Sequence, residues 1–178
     1  PAVYIGANGP QMMKAAPKYA DAIMVSDFVP EHVAKSRAII DATLDAAGRD
    51  RRAFTLNNFW AWHVKDTVAE AEREARIWLT VRGTLYPPYL HDVLDPDEAA
   101  LVNRNIQAFI RAYNRKSDVI EGVPPEIVRK LVRNCTSACA LADLDAEIGR
   151  LRGFARAGLT EIALRIYEEP EKTIRLLG

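Results

Sequence analysis

Cysteine is scarce in this chain: Cys135 and Cys139, spaced C-x3-C, are the only two among 178 residues. A structural zinc needs about four ligands, usually with further Cys or His close by. Here the nearest histidine in sequence is His91 and there is no second cysteine pair. No metal site is therefore expected. The two thiols read as small buried or half-buried residues on a helical stretch, and a reducing, cytoplasmic compartment fits. No apolar run reaches bilayer length, so no membrane span is expected. The first residues carry no basic segment followed by an apolar stretch, so neither is a signal peptide. An excess of one charge is missing too: 24 Lys and Arg stand against 24 Asp and Glu. Binders of nucleic acid or anionic membranes usually show a one-sided basic surface, so partners of that kind are not expected. An initiating methionine is absent, and the chain opens directly in an apolar run. That start predicts a truncated or processed fragment. Paired carboxylates, a nucleophile triad and a metal cluster are all missing, so no catalytic residue is assigned.

What is present is a regular alternation. Val3-Tyr4-Ile5 and Ala22-Ile23-Met24-Val25 are short apolar runs bounded by turn residues, and they read as buried strands. Phe54 to Val64, aromatic and β-branched, reads as a third strand, and Glu161 to Glu168 as a fourth, with Ile162, Leu164 and Ile166 on one face. Helices are predicted over 10–19 (with Pro17 inside), from Pro30 to a stop at Gly48, and from a Thr67/Glu70 capping box to Arg82. Others are predicted from Asp143 to Ala157 with Gly158 as stop, and from Pro170 to the chain end. Residues 84–137 break the pattern. Tyr86-Pro87-Pro88-Tyr89 predicts a rigid extended or turn segment, followed by helices from Asp95-Pro96 to about Asn114 and from Pro124-Pro125 to about Asn134. Strands alternating with helices imply an α/β fold with a parallel sheet. Four such units are half of a (β/α)8 barrel, and an open doubly wound sheet is an equal candidate from pattern alone.

The turn Ile5-Gly6-Ala7-Asn8-Gly9-Pro10-Gln11-Met12 is the most informative stretch. Its two glycines permit positive φ and close approach of a ligand. The helix behind it offers unsatisfied amides and a dipole, which together favour a phosphate. Asn8 adds a side-chain donor. A plain tight turn is an equal reading, since the full dinucleotide fingerprint and the P-loop Lys-Ser/Thr are both missing.

With Ala20-Asp21-Ala22 following, this stretch resembles the middle of the luciferase-like flavin and deazaflavin oxidoreductases, the methylene-tetrahydromethanopterin reductase type above all. Ala47-Gly48-Arg49-Asp50 resembles the segment before the family's seventh barrel strand, and Ala157 to Ile162 the lead-in to the eighth. Pro170 to Gly178 resembles the closing helix. The resemblance implies a (β/α)8 TIM barrel of which this chain, 1–178, holds strands five to eight as one half-barrel, with 84–137 as the helical insertion between the third and fourth strands here. It implies that Gly6, Ala7, Asn8, Gly9, Pro10 and Gln11 hold the phosphate-bearing tail of coenzyme F-420, or alternatively of FMN. The implied reaction is hydride transfer between F-420 and a small organic substrate; the alternatives are an FMN-dependent monooxygenase and a non-catalytic half-barrel that needs a partner. The resemblance places catalytic and ring-binding groups in strands one to four, so this chain alone is expected to be inactive, and a homo-oligomer or an association with the missing half is expected. Three departures stand out: Ala22 for the usual glycine, Ser26 for the usual asparagine, and Ala142-Asp143-Leu144-Asp145 for the usual Gly-Thr-Pro-Glu.

Other candidates are read from position alone. His63, beside Trp60 and Trp62 at the end of the third strand, is a substrate candidate or a packing residue. Asn57 or Asn58 points at a ligand or at solvent. Arg165 pairs with an anionic ligand or with Glu161 or Glu168. Tyr86, Tyr89 and His91 form a lid or an anchor. The helix carrying Glu70, Glu72, Arg73, Glu74 and Arg76 reads as a solvated charged face.

Overall fold

The two apolar runs and the aromatic stretch are strands β1 (Tyr4–Gly6), β2 (Ala22–Ser26) and β3 (Thr55–Lys65) of a computed structural model that describes residues 1–177, the side chain of Thr84 excepted. Gly178, the end of the expected closing helix, lies outside the described residues. β1 pairs parallel with β2 (Tyr4 with Ala22, Gly6 with Met24), and β2 parallel with β3 (Ala22 with Thr55, Ser26 with Phe59). Ile23 and Val25 on one face are wholly buried, and Ala22 and Met24 on the other are buried and half-buried, which is why β2 reads as an unbroken apolar run and not as an alternation.

The chain divides into two compact units. The first comprises Pro1–Trp60 with Gly149–Ala163, and the second Ala61–Ile148 with the segment from Leu164 onward. In the first unit, helices α1 (Pro10–Ala15) and α2 (Pro30–Ala46) connect the parallel strands, as parallel pairing requires. α1 stops short of the expected Tyr19: Ala16–Lys18 is a tighter 3-10 turn, because Pro17 has no N–H to continue the ladder. α2 ends as expected at Gly48, whose φ is +64°. The Gly48 N–H donates to the Asp45 carbonyl and the Arg49 N–H to the Leu44 carbonyl, a Schellman closure. Gly158 closes α8 (Leu144–Arg156) in the same way, with φ +96°. Phe154 of α8 packs edge-on to Trp60, ring centroids 4.9 Å apart.

In the second unit, the end of β3 pairs parallel with β4 (Ser137–Ala140), Trp62 opposite Ser137 and Lys65 opposite Ala140. β4 is a correction to the expectation of a purely helical excursion. Its Ser-Ala-Cys-Ala sequence has no β-branched or aromatic residue to signal a strand. Helix α3 (Val68–Trp78) starts with the expected Thr67/Glu70 capping box and ends four residues early, passing into a 3-10 turn at Leu79–Val81. Pro87–Leu90 is a turn of helix, α4, and not an extended segment, since Pro is tolerated at a first helical turn. The single helix expected to Asn114 is two, α5 (Pro96–Arg104) and α6 (Ile106–Arg115). They break at Asn105, whose Nδ2 donates to the Leu101 carbonyl in competition with the helix ladder. α7 (Pro125–Cys135) follows. The apolar faces of these helices meet around Leu79, Val102, Phe109 and Leu131, each almost or wholly inaccessible.

The last strand, β5 (Glu161–Ile166), pairs with β3, and α9 (Pro170–Leu177) ends the described chain. The expected buried face of Ile162, Leu164 and Ile166 is only half-buried, because β5 has one strand neighbour among the described residues. β1 likewise pairs only with β2. The fold is thus α/β with a parallel sheet, and among the described residues that sheet is not closed.

Candidate functional site

Parallel α/β folds bind ligands at the carboxyl ends of their strands. In the first unit, the ends of β1 and β2 frame an open depression of about 410 Å³ lined by Gly6, Ala7, Asn8, Met24, Val25, Ser26 and Phe59. The first half of the expected phosphate loop is therefore in the wall; Gly9, Pro10 and Gln11 are not among the lining residues. The local reasons differ from those read in the sequence. Neither glycine has positive φ: Gly9 is extended at φ −82°, ψ 150°, and Gly6 is not in the left-handed region. Their use is space. A Cβ at Gly6 or Gly9 would meet nothing within 4 Å, so a ligand can approach the backbone closely. α1 has six residues, too few for a large dipole. The Ala7 amide is spent on the Met24 carbonyl at 3.0 Å. Asn8 turns its Oδ1 inward to accept from the Ser26 N–H at 2.9 Å, so it ties the loop to β2. Pro10 carries no N–H, and among the described residues the amides of Gly9 and Gln11 have no backbone partner.

The two asparagines of β3 separate cleanly. Asn58 accepts from the Phe28 N–H at 3.3 Å and donates to the Phe28 carbonyl at 2.9 Å. It is a structural brace for the turn after β2. Asn57 is 1% exposed, and among the described residues neither of its amide atoms has a hydrogen-bond partner.

In the second unit the structure brings His63 and Arg165 onto one ring. His63 stacks on Tyr167 (centroids 5.0 Å apart, planes 11° apart), and the Arg165 guanidinium lies 4.6 Å from the centre of the same ring. Buried Arg82 donates to the Tyr167 hydroxyl at 3.2 Å and to the Cys135 carbonyl at 3.3 Å. His63 is wholly buried, with Nδ1 2.9 Å from Glu74 Oε2, while Lys65 Nζ lies 3.3 Å from Glu74 Oε1. Among the described residues its Nε2 has no hydrogen-bond partner. Burial pushes the His63 pKa down, and the nearby Glu74 carboxylate only partly offsets this. Burial also pushes the Glu74 carboxyl up, but the His63 N–H and the Lys65 ammonium outweigh it and hold Glu74 below the usual range. Both directions fit a neutral imidazole donating Nδ1–H to an ionised carboxylate.

Glu74 corrects the reading of its helix as a solvated face. It is 2% exposed and sits with buried Ala71, Ala75 and half-buried Trp78. The spacing 71, 74, 75, 78 is the buried stripe of a helix, and a charged residue on that stripe was the available signal. Tyr86 and Tyr89 contact each other at 5.4 Å. Among the described residues no group of His, Cys, Asp and Glu is arranged to hold a metal ion, and no helix is long and apolar enough to cross a membrane.

Acidification should expose the buried pair. Below the ordinary imidazole value of about 6.5, unfolded chains take up a proton at His63 that the folded protein does not. Stability should therefore fall as pH drops below that value, and fall again when Glu74, held low in the fold, is protonated. Thermal melts at pH 7.5, 6.5 and 5.5 should step downward, and His63→Gln should flatten the first step.

The model of the luciferase-like monooxygenase family matches residues 1–160. The chain is 26% identical over 180 residues to a 5,10-methylenetetrahydromethanopterin reductase of Archaeoglobus fulgidus, covering 99% of this chain and 52% of that protein. Its fold is similar to the coenzyme F-420-dependent tetrahydromethanopterin reductase of Methanopyrus kandleri, with TM-score 0.76, 19% identity, and 99% and 48% of the two chains covered. It is also similar to an F-420-dependent secondary alcohol dehydrogenase solved with an F-420–acetone adduct, with TM-score 0.60, 19% identity, and 92% and 42% covered. The chain spans about half the length of these relatives. With the match running over most of its length, the chain belongs to the luciferase-like monooxygenase family.

Proposed function

We propose that the protein serves hydride transfer between coenzyme F-420 and a small organic substrate, as strands five to eight of a (β/α)8 barrel. The loop Gly6–Gln11 seats the cofactor's phosphate-bearing tail. The observation that carries this reading is the depression at the ends of β1 and β2, walled by Gly6, Ala7 and Asn8 and unobstructed where a glycine Cβ would stand. The reductase and the dehydrogenase whose solved structures this chain is similar to carry F-420 in their names, which favours that cofactor. When bound, the deazaflavin supplies the hydride chemistry, and the protein supplies position and electrostatics. Asn8 fixes the loop on β2, and the unspent amides of Gly9 and Gln11 face the tail. Within the second unit, His63 and Arg165 share the Tyr167 ring; Arg165 is the proposed substrate contact of the two, since His63 is wholly buried. The single-neighboured strands β1 and β5 are the edges on which the rest of the barrel, or a partner, pairs. Catalysis then belongs to the closed assembly. The matched family's description as a monooxygenase favours FMN as the second reading.

Titration with F-420 and with FMN, followed by fluorescence, tests the loop. Gly9 already has a backbone conformation that valine adopts freely, so Gly9→Val should fold normally. It should weaken the preferred cofactor at least tenfold by blocking the tail. Unchanged affinity would remove the loop from the site.

A further inference from the structure

Asn57 lies in a central strand, and burying a carboxamide with nothing to bond is costly. Its surroundings cannot serve it. The Ser26 N–H is taken by Asn8, the Ala7 N–H by the Met24 carbonyl, and Asn58 by Phe28. The register sets Asn57 directly beside Met24 of β2, and alternation puts Phe59, two residues on, on the same face. Met24 and Phe59 both line the depression. Met24's other register partner is Gly6, so no side chain from β1 fills that row.

We infer that Asn57, beside Met24 in the register and behind the residues that line this depression, is a ligand-recognition residue that takes the edge of a flat heterocycle presenting an N–H beside a C=O. A carboxamide answers such an edge with one donor and one acceptor. Met24 and Phe59 supply apolar surface for the ring faces. Met24, unbranched and half-buried, is the side chain that swings aside to admit the ring. The inference rests on the reading that this depression holds the cofactor, and it adds a part of the ligand that the loop does not touch.

Asn57→Leu, close in volume, tests it with two readouts. In the unliganded protein the variant should melt at or above the wild-type temperature, because an unbonded amide is replaced by an apolar group. A melting temperature several degrees lower would show that the amide is satisfied within the fold, and would overturn the inference whether or not any cofactor binds. The second readout is affinity for F-420 and FMN and for the same rings without a phosphate tail, deazaflavin and riboflavin. For whichever ring binds, Asn57→Leu should weaken the tailed and tailless forms alike, by about tenfold. Unchanged affinity for the tailless ring would overturn the inference. Gly9→Val should weaken only the tailed form, so failure of the loop reading registers separately from failure of Asn57.

Discussion

Replacing Glu74 by alanine should cost about 3 kcal/mol of stability, the lower end of what breaking a buried ion pair costs. In a chain of this length that is a fall of roughly 10 °C in melting temperature. The reasoning is local. Glu74 is the hydrogen-bond partner of His63 Nδ1 at 2.9 Å, and it also lies 3.3 Å from the Lys65 ammonium. Its removal leaves a wholly buried imidazole with neither nitrogen bonded, since Nε2 already has no partner. Lys65, 11% exposed, keeps only Glu169 at 3.8 Å and the Glu168 carbonyl at 3.4 Å. Glu74→Gln separates charge from shape. Its amide oxygen still accepts from Nδ1–H, so it should lose less than half as much. It should also change the acid end of the stability profile, because the carboxyl that titrates is gone. Thermal unfolding of both variants at pH 7.5 is the measurement. Equal melting temperatures for wild type and Glu74→Ala would mean that the pair contributes nothing.

The parallel sheet was legible at β2, where Ala22 to Val25 is an interior run ended by Ser26-Asp27; β1 was expected to be buried as well, but with β2 as its one strand neighbour among the described residues it leaves Val3 and Tyr4 exposed. The capping box at Thr67 and the glycine stops at Gly48 and Gly158 were legible because each is local stereochemistry. β4 was hidden, since a strand of Ser, Ala and Cys is specified by its neighbour β3 and not by its own side chains. The sequence singled out the Gly6–Gly9 loop as a candidate, and its first half lines the depression, but the local geometry read for it was wrong. The glycines provide room and not positive φ, and Asn8 faces inward. Asn57 and Asn58 were indistinguishable in sequence. Which asparagine finds a partner depends on Phe28, thirty residues away in the chain.

That partner makes Asn58→Ala the second large effect. Phe28 lies in the turn between β2 and α2, just after Asp27, whose φ of 64° is left-handed for a residue that is not glycine. Both Phe28 backbone groups are bonded to the Asn58 carboxamide, the N–H at 3.3 Å and the carbonyl at 2.9 Å, with Phe28 2% and Asn58 0% exposed. Truncation to alanine removes both of these bonds at once, and each bond lost from a buried group costs about 1–2 kcal/mol. A loss of about 2–4 kcal/mol should follow, some 5–10 °C in melting temperature. The turn also carries strain that the brace holds in place. Without the brace, Asp27 should relax and draw Ser26 away from the Asn8 side chain, loosening the wall of the depression. Asn58→Ala should therefore combine lower stability with weaker cofactor binding. Asn58→Asp keeps an acceptor for the Phe28 N–H but sets a carboxylate oxygen against the Phe28 carbonyl at a position with no exposure, so at pH 7.5 it should lose at least as much as alanine. If aspartate instead kept wild-type stability, the bond from Asn58 Nδ2 to the Phe28 carbonyl would not be what holds the turn.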